Sequence, residues 1–262
     1  MLVFAGITPH PPILIESIGK ENLEKIKKTR EALLQLEEEI YTAKTEIIIV
    51  ISPHGEVQPD YFTVNLSPNF EGDFKEFGDF VTKLSFKGNS QFAHQIKTEA
   101  ENKIPVTLIS SPTIDHGSLV PLYYLTRHLP NITVVPISFS LLDFNKHLLF
   151  GQILKRACVK SNKRIAIVAS GDLSHRLTKN APAGYSPVGK VFDKKLIRAI
   201  ETKKTDEIFA FDDKFIEQAG ECGLRSFLIL LGALSKINYQ PELLSYEGPF
   251  GVGYLVMNFV IR

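Results

Sequence analysis

The chain has 262 residues, 44% hydrophobic and 23% charged, with Lys+Arg 30 against Asp+Glu 29 and a formal charge of +1. That length suits one large α/β domain, and the even charge balance excludes a protein whose main work is gripping nucleic-acid phosphates. Two cysteines, Cys158 and Cys222, are too few for a disulfide framework, and no apolar run approaches the ~18 residues of a membrane span. The expectation is a cytoplasmic protein with reduced thiols and no signal peptide, nucleic-acid partner or membrane partner.

Leu2 to Ile7 reads as a strand, stopped by Thr8-Pro9-His10-Pro11-Pro12. Prolines fix φ and cannot donate to a ladder, so His10 is expected in a stiff, extended turn. Ile18 to Lys44 has helical periodicity, with a solvated face of Glu and Lys. Glu46 to Ile51 is β-branched without alternation, the pattern of a central strand covered on both faces, and Ser52-Pro53-His54-Gly55 ends it. Val57 to Leu66 suggests a further strand. Ser67 to Phe80, rich in Gly, Asp, Asn and Phe, reads as a surface loop whose aromatics tuck under or meet a ligand or a second subunit.

Helices are expected over Asn89 to Lys103, Ser118 to His128, Asp143 to Lys160 and Gly189 to Lys203, with Thr205 to Phe211 also helical. Phe215 to Leu234 should be helical but broken at Gly220-Glu221-Cys222-Gly223. Strands are expected over Pro105 to Ile109, Asn131 to Ser138, Ile165 to Ser170, Pro241 to Tyr246 and Gly253 to Ile261. Strands alternating with helices, without a repeat or linker, point to residues 1–262 as one three-layer α/β/α domain around a parallel or mixed sheet. His94, His128 and His147 lie among ordinary helical residues and are not expected to act in catalysis.

Four segments share one grammar, an apolar run, a turn and then a histidine, and they end on His10, His54, His116 and His175. In open α/β sheets ligands bind outside the carboxyl ends of the strands, so these histidines are expected to surround a metal. Two histidines and an acid on one face of an ion suit Fe(II), and zinc with a bound water is the alternative. His10 and His54 are the ligand pair, each following a strand and a proline. Glu221, between glycines that let backbone approach closely, is the expected third ligand; Cys222, as a thiolate, and Glu247 are alternatives. His116 and His175 are the acid–base pair, with Asp115 and Asp172 orienting them or shaping their turns. Arg225 and Lys190 are candidates to meet an anionic group, and Phe70, Phe74, Phe77 and Tyr185 to line the pocket.

At Thr8–Pro12, Ser52–Gly55, Asp115-His116-Gly117 with Pro121-Leu122, and Ser170–His175, the chain resembles the class III extradiol ring-cleavage dioxygenases, the LigB-like superfamily. It looks most similar to the LigB-like half of larger two-part proteins grouped with Memo-like proteins and radical-SAM partners, with the second half absent from a chain ending at Arg262. The resemblance implies non-haem Fe(II) on His10, His54 and Glu221, with His116 and His175 as second-sphere histidines. Memo-like relatives carry a cysteine at about this point, which leaves Glu221 and Cys222 both open. The implied reaction inserts O2 beside the vicinal hydroxyls of a catechol, a small aromatic substrate. A Memo-like binding or scaffold role and a zinc hydrolase are the alternatives, and a homo-oligomer is compatible.

Overall fold

Ile47–Ser52 and Ile165–Ser170 are buried at every position, as strands covered on both faces must be. The computed structural model, which describes residues 1–262, sets these two runs side by side in the middle of one mixed sheet. Its strands are β1 (Leu2–Thr8), β2 (Ile47–Ser52), β3 (Phe62–Asn65), β4 (Asn69–Phe74), β5 (Asp79–Gly88), β6 (Val106–Ile109), β7 (Thr133–Ser138), β8 (Ile165–Ser170), β9 (Tyr239–Glu247) and β10 (Tyr254–Ile261). The helices are α1 (Glu16–Gly19), α2 (Lys27–Thr42), α3 (Ser90–Ala100), α4 (His116–Leu125), α5 (Phe144–Lys160), α6 (Pro187–Glu201), α7 (Thr205–Phe209), α8 (Asp213–Ala219) and α9 (Leu224–Leu234).

The sheet order is β4-β5-β7-β2-β8-β1-β10-β9, with β3 joined to β7 and β6 to β3. Strands β7, β2, β8 and β1 are parallel, so their carboxyl ends open on one edge. Two apolar cores lie on the two faces. One gathers α3, α5, α6 and α9, and the other α2 and α4. This is the three-layer α/β/α arrangement expected from the alternation of elements. No helix is long and apolar enough to cross a membrane.

Helices α5 and α9 cross at Gly151 and Gly232. A β-carbon on Gly151 would strike the Ile229 carbonyl, and one on Gly232 the Leu148 carbonyl. Gly151→Val is therefore expected to destabilise the fold by about 3 kcal/mol, read as a melting temperature lower by several degrees.

The structure corrects two expectations. Ser67 to Phe80 is not a loop: it forms β4 and the turn into β5, a hairpin in which Phe70 and Phe74 point into the core while Glu71 and Asp73 face out. The alternation is masked because Gly72 takes an inward position, where a side chain would collide with Ile114 and Leu119. Also, β6 runs parallel to β3, which is antiparallel to β7. The end of β6 thus points away from the edge where the other histidines gather. Residues 110–115 carry His116 back there, held by the bridge of Thr113 to Glu71 and by Asn65 on Ser111.

Candidate metal centre

His10 follows β1 by two residues in the proline-stiffened turn, and it is almost fully buried. Its backbone N–H donates to Asp172 Oδ1 at 3.0 Å, and its Nδ1 lies 2.9 Å from Ser170 Oγ. The Ser170 hydroxyl donates to the Gly117 carbonyl, which can only accept. The serine oxygen therefore accepts from His10, which places the proton on Nδ1 and leaves Nε2 bare. Ser170→Ala is expected to weaken metal binding about 10- to 100-fold, the usual effect of losing a ligand's outer partner, measured by competition with a chelator.

His54 sits two residues beyond β2. Its backbone N–H donates to Ser52 Oγ at 3.1 Å, and Ser52 donates in turn to Asp115 Oδ1. Asp115 also caps α4, accepting from the Ser118 N–H at 3.0 Å and the Ser118 hydroxyl at 2.9 Å. One carboxylate thus ties the turn of His54 to the helix that begins at His116. The rings of His54 and His116 stack at 4.3 Å, and Phe77 meets His116 edge-on at 5.1 Å. Asp115 and Asp172 shape turns rather than bond the rings.

The loop after β8 and the turn between α8 and α9 form one hydrogen-bonded block. The Asp172 carbonyl accepts from Cys222 N at 3.2 Å and Gly223 N at 3.1 Å, while the Asp172 N–H faces Cys222 Sγ at 3.3 Å. His175 donates from its backbone N (3.1 Å) and from Nδ1 (2.8 Å) to the Gly220 carbonyl. The Nδ1 proton is thereby fixed, and His175 Nε2 keeps its lone pair. The block closes only because its backbones nearly touch: a β-carbon on Gly171 would collide with Gly223 Cα. Gly220 makes the turn with φ +61, in the left-handed region that favours glycine.

This turn sends the side chains of Glu221 and Cys222 to different partners. The Glu221 carboxylate, expected as the third ligand, faces away and accepts from Leu224 N at 2.6 Å at the start of α9. Neighbouring side chains in a tight turn point apart, so the thiol of Cys222 is the one turned inward. Its sulfur lies 3.7 Å from His10 Nε2, which is 3.0 Å from His54 Nε2. The three donor atoms fall within 4.8 Å of one another. Ligands at ordinary Zn–N and Zn–S distances on a tetrahedral ion stand about 3.3 Å (N to N) and about 3.6 Å (N to S) apart, so these residues fit a metal. Glu247 is occupied elsewhere, accepting from Thr29 N at 2.8 Å and Thr29 Oγ1 at 2.7 Å. Arg225 binds the Leu142 carbonyl and packs over Phe144, and Lys190 is exposed.

Burial keeps the imidazoles neutral. It holds His10 well below its ordinary value, aided by the charges of His54, His116 and His175, and brings His54 down to about 4. His116 and His175 are lowered by burial as well. Burial pushes Asp172 and Glu221 up to about 7. Burial, then the charges of Asp172 and Glu221, holds the Cys222 thiol well above its ordinary value. A metal must displace that thiol proton, and displacement costs less as pH rises. Apparent metal affinity is thus expected to climb about tenfold per pH unit around neutrality, checked by chelator competition.

A cavity of about 860 Å³ opens on His54 and His116, walled on the far side by Glu71, Glu76 and Phe77 of the β4–β5 hairpin. Of the aromatics expected to line a pocket, Phe77 does; Phe70 and Phe74 are core, and Tyr185 is exposed. His94 and His128 are exposed. His147 is buried, with its ring nitrogens 2.9 Å and 3.0 Å from backbone carbonyls of Asp143 and Ser140.

The three-layer α/β/α fold thus brings histidines from distant segments together beside a cavity at the strand ends. Residues 5–257 match the family described as the catalytic LigB subunit of aromatic ring-opening dioxygenase, and the chain belongs to that family. Protein CA_C1420 of Clostridium acetobutylicum is 33% identical over 96% of this chain and 56% of its own length. The chain therefore spans little more than half of that relative. The 3,4-dihydroxyphenylacetate 2,3-dioxygenase of Escherichia coli is 26% identical over 76% of this chain and 78% of its own. The 4,5-DOPA dioxygenase extradiol of Beta vulgaris is 27% identical over 73% of each. The crystal structure of uncharacterized protein JW3007 from Escherichia coli K12 has the same fold, with a TM-score of 0.68 at 17% identity over 98% of this chain and 99% of that one.

Proposed function

We propose that this chain is a non-haem Fe(II) dioxygenase that opens the ring of a small catechol-type substrate with O2, beside the vicinal hydroxyls. The observation that carries this reading is the convergence of the bare His10 Nε2, the His54 imidazole and a thiol, with two further histidines around the same point. Relatives named as dioxygenases, one of them extradiol, over about three quarters of the chain support it. His10, His54 and Cys222 would hold the ion, Cys222 taking the place first expected of Glu221. When bound, the ion supplies a redox-active Lewis acid at which substrate and O2 meet.

The protein's own side chains do the rest. Ser170 keeps the His10 ring from turning, and the Ser52–Asp115 pair fixes the backbone turn that carries His54. His175 presents Nε2 as the base for a ring hydroxyl, its other nitrogen being committed to Gly220. His116, stacked on His54 and met edge-on by Phe77, forms an aromatic wall along which a flat substrate slides in. The lining is mostly polar, so the substrate carries polar groups besides the reacting hydroxyls.

One observation favours a second reading. A thiol stands where a carboxylate would complete the usual iron triad, and two nitrogens with one sulfur also suit zinc and a hydrolytic water. Metal content separates the two. Protein purified without oxygen should hold iron and, on mixing with a catechol and O2, consume oxygen as a yellow ring-opened product forms. Zinc-only protein would favour hydrolysis, and iron-loaded protein that takes up no oxygen with any catechol would remove the dioxygenase reading.

A further inference from the structure

The block that carries His175 and Cys222 is pinned from outside by one buried acid. Asp193, on α6 and 1% exposed, accepts the Ser174 backbone N–H on Oδ1 at 2.9 Å. Its other oxygen accepts the hydroxyl of Tyr246, on β9, at 2.6 Å. Ser174 is the residue before His175, and its own hydroxyl donates to the Ala219 carbonyl at 2.7 Å and accepts from Arg176 N at 3.1 Å. Three of these contacts meet at Ser174, between the proton-handling imidazole and the turn that aims the thiol, and the fourth braces Asp193 from β9.

The surroundings are shaped around this pin. A β-carbon on Gly253 would overlap Asp193 Oδ2, and one on Gly189 would overlap Ser174 Oγ. Gly253 also exchanges backbone bonds with Leu173 (2.8 Å) and Ser174 (2.9 Å). A buried carboxyl with two partners is a costly way to fill space, since an apolar side chain of similar size is often neutral or stabilising. Burial pushes Asp193 up to about 6 against the lowering effect of Tyr246 and Ser174. Asp193 touches none of the proposed ligands, so its use is geometric.

We infer that Asp193, braced by Tyr246, is a positioning residue: through the Ser174 N–H it holds His175 against the Gly220 carbonyl with Nε2 facing the centre. The assignment rests on reading His175 as the proton-handling group, but the geometry can be tested without activity.

The probe is the histidine nitrogen spectrum of the full chain loaded with Zn2+, with ¹⁵N-labelled histidine. Wild type should show a slowly exchanging Nδ1–H and a bare Nε2 at His175. Asp193→Ala should speed exchange of that proton at least about tenfold and mix the tautomers, while the His10 Nδ1–H, bonded to Ser170, stays as it was. Asp193→Asn should restore the wild-type signal, since its amide oxygen accepts from Ser174 and its NH2 donates to the Tyr246 oxygen. Tyr246→Phe should loosen His175 part-way, and it decides the matter if Asp193→Ala does not fold. An unchanged His175 in the folded Asp193→Ala protein, or in Tyr246→Phe when only that variant folds, overturns the inference. So does equal loosening of His10 and His175, which would mean general softening. With iron and 4-methylcatechol, Asp193→Ala should lower kcat about 10- to 100-fold with KM within about twofold. If the wild type opens no catechol while Asp193→Ala still loosens His175, the ring-opening reading fails and the positioning role stands.

Discussion

Cys222→Ala is expected to lower affinity for Fe2+ or Zn2+ by more than about a hundredfold, and His10→Ala or His54→Ala by at least as much. Removing a direct donor must exceed the effect of removing an outer partner. Glu221→Gln, one residue away, should leave affinity within about threefold, because its carboxylate caps Leu224 rather than facing the imidazoles. Its cost should appear instead in stability, about 1 kcal/mol for a weakened helix cap. Chelator competition on the folded variants measures both. Full metal retention by Cys222→Ala with loss in Glu221→Gln would reverse the assignment.

The second large effect concerns turnover. His175→Ala should keep its metal and lower kcat for a catechol by about 10² to 10⁴, the range ascribed to a positioned general acid–base group. His175→Gln should fare no better, since an amide can occupy the space but cannot take a proton at neutral pH. The fold should survive, because the block keeps its backbone bonds from Cys222 and Gly223 to Asp172. Metal analysis alongside single-turnover kinetics separates a lost base from a lost ion. Loss of metal in His175→Ala would place this ring among the ligands instead.

Much of this arrangement is legible in the primary order. The β-branched runs at Ile47 and Ile165 announce central strands, and the prolines beside His10 and His54 announce rigid mounts at their ends. The choice between Glu221 and Cys222 is not legible from spacing. It depends on the left-handed turn at Gly220 and the approach of Gly171 to Gly223, a contact between segments about 50 residues apart. One signal was available: an acid just before the apolar run of α9 reads as a helix cap. The β4–β5 hairpin stayed hidden because a glycine interrupts its alternation, and with it the place of Phe77 against His116. His116 follows an apolar run as the other three histidines do, so the sequence predicts it at a strand end. It arrives by a returning loop, since β6 runs against the central strands, and strand direction is not encoded in hydrophobic pattern.

The claim on which the rest stands is that one ion sits among His10, His54 and Cys222. X-ray absorption at the metal edge of the loaded protein tests it most directly. The expected spectrum has a sulfur scatterer at about 2.3 Å together with imidazole nitrogens at about 2.0–2.1 Å, the sulfur vanishing in Cys222→Ala. A shell of nitrogen and oxygen alone in the wild type would contradict it.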